Sequence, residues 1–180
     1  MNQYPFLDNK SHPVFTSEIG DITNTPSRRR IIDISRTELI SATSLRRKLQ
    51  YVQDLGELDG GLPIVKHGVL VGLIPAPDLE FALDKLEEGD TPCFMAPGGQ
   101  YRDVSDDDDE GAPADMTPYI DPAPVALDIR SPMDLAYQCF VKLGLRYICV
   151  LRDGQYAGLV HKKAFVKYIR DLEKSGDLLL

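Results

Sequence analysis

Apolar residues recur at helical spacing twice in this chain, at Leu45, Leu49, Val52 and Leu55 and again at Met133, Tyr137, Phe140 and Leu143. One apolar face at a 3.6-residue period predicts an amphipathic helix, and each run stops at a glycine, Gly56 or Gly144, as helices commonly do. Equivalent positions are 88 residues apart. Ser131 predicts an N-cap, with Pro132 in the first turn and Asp134 on the positive end of the helix dipole, and Thr43 holds the equivalent place.

Behind each helix the pattern shortens to paired apolar runs. Residues 62–65 and 69–74 flank a turn at Gly68, and residues 147–151 and 155–160 flank Asp153-Gly154. Both predict β-hairpins. Gly72 and Gly158 hold matching places in the second strands, amphipathic helices are predicted over 78–86 and 162–172, and short apolar strands over 31–34 and 125–129. The chain therefore predicts a mixed α/β (α+β) fold of two strand-helix-strand-strand-helix repeats, over 31–88 and 123–175. A unit of about 55 residues cannot cover its own sheet, so the repeats are expected to pack as a pseudo-twofold pair.

Between them, residues 89–122 hold five prolines, four glycines and the acid run Asp106–Glu110. Such a composition predicts a disordered acidic linker outside the fold. Residues 1–30 have aromatics without a period and read as an extended surface segment, and 176–180 as a tail.

Composition narrows the function classes. The 180 residues are 43% hydrophobic with a net charge of -8, which disfavours a nucleic-acid partner because that affinity comes from cations neutralising phosphates. The basic cluster Arg28, Arg29 and Arg30 reads as surface, with lipid headgroups or an acidic partner as its functional alternative. Apolar runs fall short of the ~20 residues a membrane helix needs and no signal peptide opens the chain, so the piece is expected to be soluble. Cys93, Cys139 and Cys149 form no C-x-x-C pair and read as inert thiols of a reducing compartment. His12, His67 and His161 lack ligand spacing for a metal, with His67 in a turn and His161 facing the cleft between repeats, where it could titrate near neutral pH. No nucleophile elbow, Walker loop or dinucleotide fingerprint occurs, so no enzyme activity is expected. Ser105, just ahead of the acid run, fits an acidophilic kinase substrate.

The tandem repeat with Gly72-Leu-Ile-Pro-Ala-Pro-Asp78 resembles a pair of CBS domains. Pro124-Val-Ala-Leu-Asp-Ile-Arg-Ser-Pro-Met-Asp-Leu, Lys142-Leu-Gly-Leu-Arg-Tyr, Arg152-Asp-Gly and Gly158-Leu-Val-His-Lys-Lys are similar to the second CBS domain of eukaryotic CLC chloride channels and chloride/proton exchangers, and Gly61-Leu-Pro-Ile-Val to the first. Tyr4-Pro-Phe-Leu-Asp-Asn-Lys looks like the segment after their last transmembrane helix. The Lys-Leu-Gly-Leu-Arg-Tyr string points to the intracellular, fungal-like branch of exchangers. The resemblance implies a voltage-gated membrane homodimer on an intracellular membrane of the Golgi, endosome or vacuole. This chain would be its cytosolic tail, with the transmembrane part of the same chain as partner.

Some of these relatives bind ATP, ADP or AMP between the repeats, which needs a base-stacking surface, a ribose carboxylate and phosphate donors. The resemblance maps that cleft onto Asp33, Asp59, Gly60, Gly61, Leu62, Lys163 and Ala164. Here Ala164 stands where the ribose Asp belongs and Asp59 where the stacking aromatic belongs, and Asp33 adds a second carboxylate. Lys163 remains as a phosphate donor. In the pseudo-equivalent cleft Asp78 keeps the ribose acid or serves as a helix N-cap, Pro75 replaces a hydroxyl donor, and Leu143, Leu145 and Arg146 would form the wall. Nucleotide binding is thus expected to be weakened or lost, with no cofactor. The rival readings are an adenine-nucleotide-sensing pair of a soluble enzyme and a ligand-free interaction scaffold.

Overall fold

The computed structural model describes residues 15–87, 89–98 and 112–176. In the first repeat, β1 (Ile32–Asp33) lies parallel to β3 (Gly61–Lys66), which turns back into β4 (Val69–Pro75). In the second, β7 (Ala126–Asp128) lies parallel to β8 (Tyr147–Arg152), followed by antiparallel β9 (Gln155–His161). Helices α1 (Ala42–Asp54), α2 (Ala76–Asp84), α3 (Met133–Tyr137) and α4 (Lys162–Ser175) complete the mixed α/β duplication. Each hairpin turns on two positive-φ residues, His67 (51°) with Gly68 (80°) and Asp153 (51°) with Gly154 (80°). That pair defines the type I′ turn, whose twist matches a two-residue hairpin, and it bears out His67 as a turn residue. Both hairpins shift register at the same step, between Ile64 and Val65 and between Val150 and Leu151.

The duplication is less regular than a constant spacing. Gly56 and Gly144 are 88 apart, but Gly61 and Tyr147, which open the hairpins, are 86 apart. The first repeat spends four residues, 57–60, between helix-ending glycine and hairpin where the second spends two, and this longer loop builds the site described below.

Helix starts also differ from the sequence expectation. Ser41, not Thr43, caps α1, because the helix already begins at Ala42: the Ser41 Oγ accepts the Ser44 N–H at 3.1 Å, and the Thr43 N–H, inside the first turn, donates to Asp90 at 3.1 Å. The second helix begins after Pro132, while the Ser131 carbonyl accepts the Ile19 N–H at 2.9 Å. Helix α3 then loosens into one π turn, Gln138–Lys142.

The largest correction concerns the flanking segments. Residues 89–122 do not lie outside the fold where they are described. β5 (Pro92–Phe94) pairs antiparallel with β2 (Leu39–Ser41) and parallel with β6 (Ala114–Asp115). Cys93, Phe94, Met95, Ala96, Met116 and Ile120 are buried in the core of the first repeat. Nor is the N-terminal segment an extended surface strip. Phe15 and Ile19 are buried in the core of the second repeat, among Met133, Phe140, Val160 and Phe165, and Ile19–Ile22 forms a 3₁₀ turn. Averaging over prolines, glycines and acids hid two short apolar clusters, and burial rather than length decides whether a segment is ordered.

The two segments do equivalent jobs. The Thr91 carbonyl accepts from Ala42 N–H at 2.8 Å at the first residue of α1, and the Ser17 carbonyl accepts from Met133 N–H at 2.9 Å at the first residue of α3. A Cβ on Gly72 would lie 3.1 Å from the Asp121 carbonyl oxygen, and one on Gly158 would lie 2.7 Å from Thr23 Cγ2. Each glycine admits the segment that crosses its strand. The repeats are therefore interlocked, the chain before the first repeat completing the second and the chain between them completing the first. Tyr4 to Lys10, His12, Ser105 and the acid run lie outside the described residues, as does most of the tail beyond Gly176.

Candidate functional site

The longer loop of the first repeat carries Glu57, Asp59 and Gly60 to the junction with the second. β9 ends at His161, which also N-caps α4, its Nδ1 accepting the Lys163 N–H at 3.0 Å. A ring nitrogen that accepts is unprotonated, so the other, Nε2, carries the proton and donates it to Asp59 Oδ1 at 2.7 Å. His161 is buried, whereas the Asp59 side chain is 52% exposed. Burial opposes ionisation of Asp59, but the hydrogen bond from His161, its own backbone N–H and Arg146 outweigh it and hold its carboxyl below the ordinary value. Lys163 Nζ donates to the Leu55 carbonyl at 2.5 Å, adding a second link between the repeats.

Inside this seam lies Arg30. Sequence placed it in a surface cluster with Arg28 and Arg29, yet it is 9% exposed. Its Nη1 pairs with Glu57 Oε1 at 2.6 Å and its Nε donates to the Gly61 carbonyl at 3.0 Å. Nη2 is buried without a partner, and a Cβ on Gly60 would lie 2.9 Å from it. Glycine at position 60 thus leaves room for the guanidinium. The cavity that remains is about 150 Å³, lined by Pro26, Arg30, Tyr51, Tyr156, His161 and Ala164 among others, below the ~300–1,000 Å³ of small-molecule pockets.

The residues mapped from sequence are only partly brought together. Asp59, Gly60, Gly61 and Ala164 border this seam, and Lys163 is spent on Leu55. Leu62 is fully buried in the core and offers a ligand no surface. Asp33 is elsewhere: it pairs in register with Val65, at the Gly68 end of β3, whereas Gly61 opens that strand. Its carboxylate is held below the ordinary value by the Ser35 hydroxyl and N–H. Arg30 occupies the position on the first strand's approach that Asp33 was expected to fill. The signal for Arg30 was its place directly ahead of an apolar strand, and for Glu57 its place directly after a helix-ending glycine.

In the pseudo-equivalent cleft Asp78 lies exposed in the first turn of α2, whose N-cap is Pro75, so Asp78 is not the cap. The Tyr147 phenol is raised first by burial, then by Cys149, Asp121 and Asp78, which places both carboxylates in its field. Leu145 packs on the second core. Leu143 is 69% exposed, and Arg146 Nη1 lies 3.9 Å from Asp59 Oδ2. Among the described residues no His, Cys, Asp and Glu cluster could hold a metal ion, and no helix is long and apolar enough to cross a membrane.

No family profile and no curated protein matches the sequence. Solved structures do match. The CBS domain pair of protein MJ0100, in complex with methylthioadenosine and S-adenosyl-L-methionine, is 18% identical with a TM-score of 0.53, over 85% of this chain and 99% of that one. CBSX2 in complex with AMP is 16% identical with a TM-score of 0.54, over 87% and 98%. An AcuB protein of Vibrio cholerae described as a putative acetoin utilization protein is 10% identical with a TM-score of 0.56, over 88% and 93%. At these identities the likeness shows the fold, which is that of a tandem CBS pair.

Proposed function

We propose that this chain is a regulatory CBS pair that works as a rigid coupling unit, its inter-repeat cleft filled by its own side chains. The observation that carries this reading is the Arg30–Glu57 pair, with side chains 11% and 15% exposed, seated where Gly60 opens the cleft. A nucleotide entering there would have to displace Arg30, and breaking a buried ion pair costs about 3–5 kcal/mol. That is two to four decades of affinity.

The finer reading is that the pair is the cytosolic tail of a CLC-type chloride channel or chloride/proton exchanger, biasing gating of its membrane part. The strings Lys142-Leu-Gly-Leu-Arg-Tyr and Gly158-Leu-Val-His-Lys-Lys support it, and attaching this chain to such a membrane part and measuring chloride flux with and without it tests it.

A second reading, an adenine-nucleotide sensor, is favoured by the AMP in CBSX2 and the adenosine compounds in MJ0100. Calorimetric titration with ATP, ADP and AMP separates the two, alongside the double replacement Asp59→Tyr with Ala164→Asp and the single replacement Arg30→Ala. Micromolar binding by the unmodified chain overturns the filled-cleft reading. Binding gained only by the variants supports it.

A further inference from the structure

A second and larger concavity lies away from the inter-repeat seam, between residues 26–36 and the outer face of α1. It encloses about 660 Å³, lined by Arg28, Asp33, Arg36, Ser44, Lys48 and Tyr156 among others. It continues through Ser44 and Lys48 into a shallower hollow of about 400 Å³ bordered by Arg29, Arg47, Tyr51 and Asp54. Five cations thus face two carboxylates in a protein whose net charge is -8.

The carboxylates are already engaged. Asp33 Oδ1 accepts from Ser35 N–H and Oγ–H at 2.9 and 2.5 Å, and Asp54 Oδ1 accepts from Gln50 Nε2 at 2.9 Å. The cations are not. Arg28, Arg29, Arg36, Arg47 and Lys48 form no ion pair within 4 Å among the described residues. Lys48 is half-buried, and burial lowers its pKa while the charge of Asp33, on the same wall, raises it only in part. Its Nζ donates to the Arg28 carbonyl at 2.8 Å, which leaves two of three N–H donors free. Arg29 is steadied over the Tyr51 ring, 5.7 Å from its centroid.

We infer that this groove binds a ligand bearing two or more phosphate groups. Guanidinium forks match phosphate oxygens in pairs, and a concave wall of one sign focuses its field on the space it encloses. The volume lies within the ~300–1,000 Å³ of compact ligands, which favours a folded polyphosphate or a headgroup over an extended acidic peptide. Ser44 and Tyr156 border the same space.

The test titrates the full chain with inositol hexakisphosphate and with pyrophosphate by calorimetry, and measures flotation with phosphatidylcholine vesicles with and without a phosphatidylinositol phosphate. Binding by either route is expected, vesicle binding alone naming a lipid headgroup as the source and soluble binding a free polyphosphate. Arg36→Gln and Arg47→Gln, both exposed and expected to fold, should each weaken it about tenfold or more, the loss of one charge-assisted hydrogen bond. Arg130→Gln, in the second repeat, should leave it unchanged. The proposal is overturned if no phosphate probe binds, or if Arg130→Gln weakens binding as much as the groove variants.

Discussion

His161 of the second repeat donates its Nε2 proton to Asp59 of the first across 2.7 Å, while its Nδ1 caps the helix that follows. One imidazole thus holds a helix start and an inter-repeat contact through its two nitrogens. Since Nδ1 must stay unprotonated to act as a cap, the contact depends on the tautomer, not on a charged ring.

Replacing His161 with Leu removes both bonds, and a cost of roughly 1–3 kcal/mol is expected for losing a cap together with a hydrogen bond to a charged group. Asp59→Asn should cost less, because the Asp59 side chain is half in water. Urea unfolding of both single variants and the double variant checks this. The singles should be non-additive by about 0.5 kcal/mol or more, and strict additivity would mean that the bond does not form in solution.

Acid should weaken the fold through the same contact. With its folded-state pKa below the ordinary 3.8, Asp59 binds its proton at higher pH in the unfolded chain than in the folded one. Its contribution is complete above 3.8 and lost as pH falls through the folded value. Asp33 shifts in the same direction through Ser35. Stability followed by urea unfolding should decline as the pH is taken below about 4, and the Asp59→Asn variant should decline less steeply. Parallel curves would rule Asp59 out as a source of the acid limb.

Alkali should act through the buried thiols. Burial pushes Cys93 up to about 11 and Cys149 up to about 12 from the ordinary 9.0. Above pH 9.0 the unfolded chain sheds thiol protons that the folded chain retains, so stability falls as pH rises toward the folded values. Cys149→Ala should flatten that fall. In the folded chain both thiols should react with an alkylating reagent far more slowly than in urea, and equal rates would contradict their burial.

Ile19→Ala and Met95→Ala each delete a fully buried side chain, one from a segment the sequence placed along the surface and one from a segment it placed outside the fold. Each should cost about 2–5 kcal/mol, the range for large-to-small core changes. Costs near zero, read from shifts in the denaturation midpoint, would return these segments to the surface.

Periodicity made the repeats legible because it reports local structure. The helices ending at Gly56 and Gly144, both hairpins and the matched Gly72 and Gly158 were all visible in residue order. What stayed hidden was long-range. Ile19 against Met133 and Cys93 against Ile40 are pairings between distant stretches, and neither leaves a local period. The site was half legible for the same reason. Asp59 and Ala164 lie in strings with recognisable neighbours, whereas Arg30 and Glu57 meet only once the chain has folded, 27 positions apart.

Synthesis runs from one end, and this gives the interlocking a temporal meaning. Phe15 stacks edge-on against Phe165 with ring centroids 6.4 Å apart, so one of the first described residues to emerge must wait for one of the last. The first repeat, by contrast, has all its core partners once Ile120 has been made. Expressed alone, residues 123–176 would lack part of their own interior, and of two half-chains split between the repeats the second should fold only when mixed with the first.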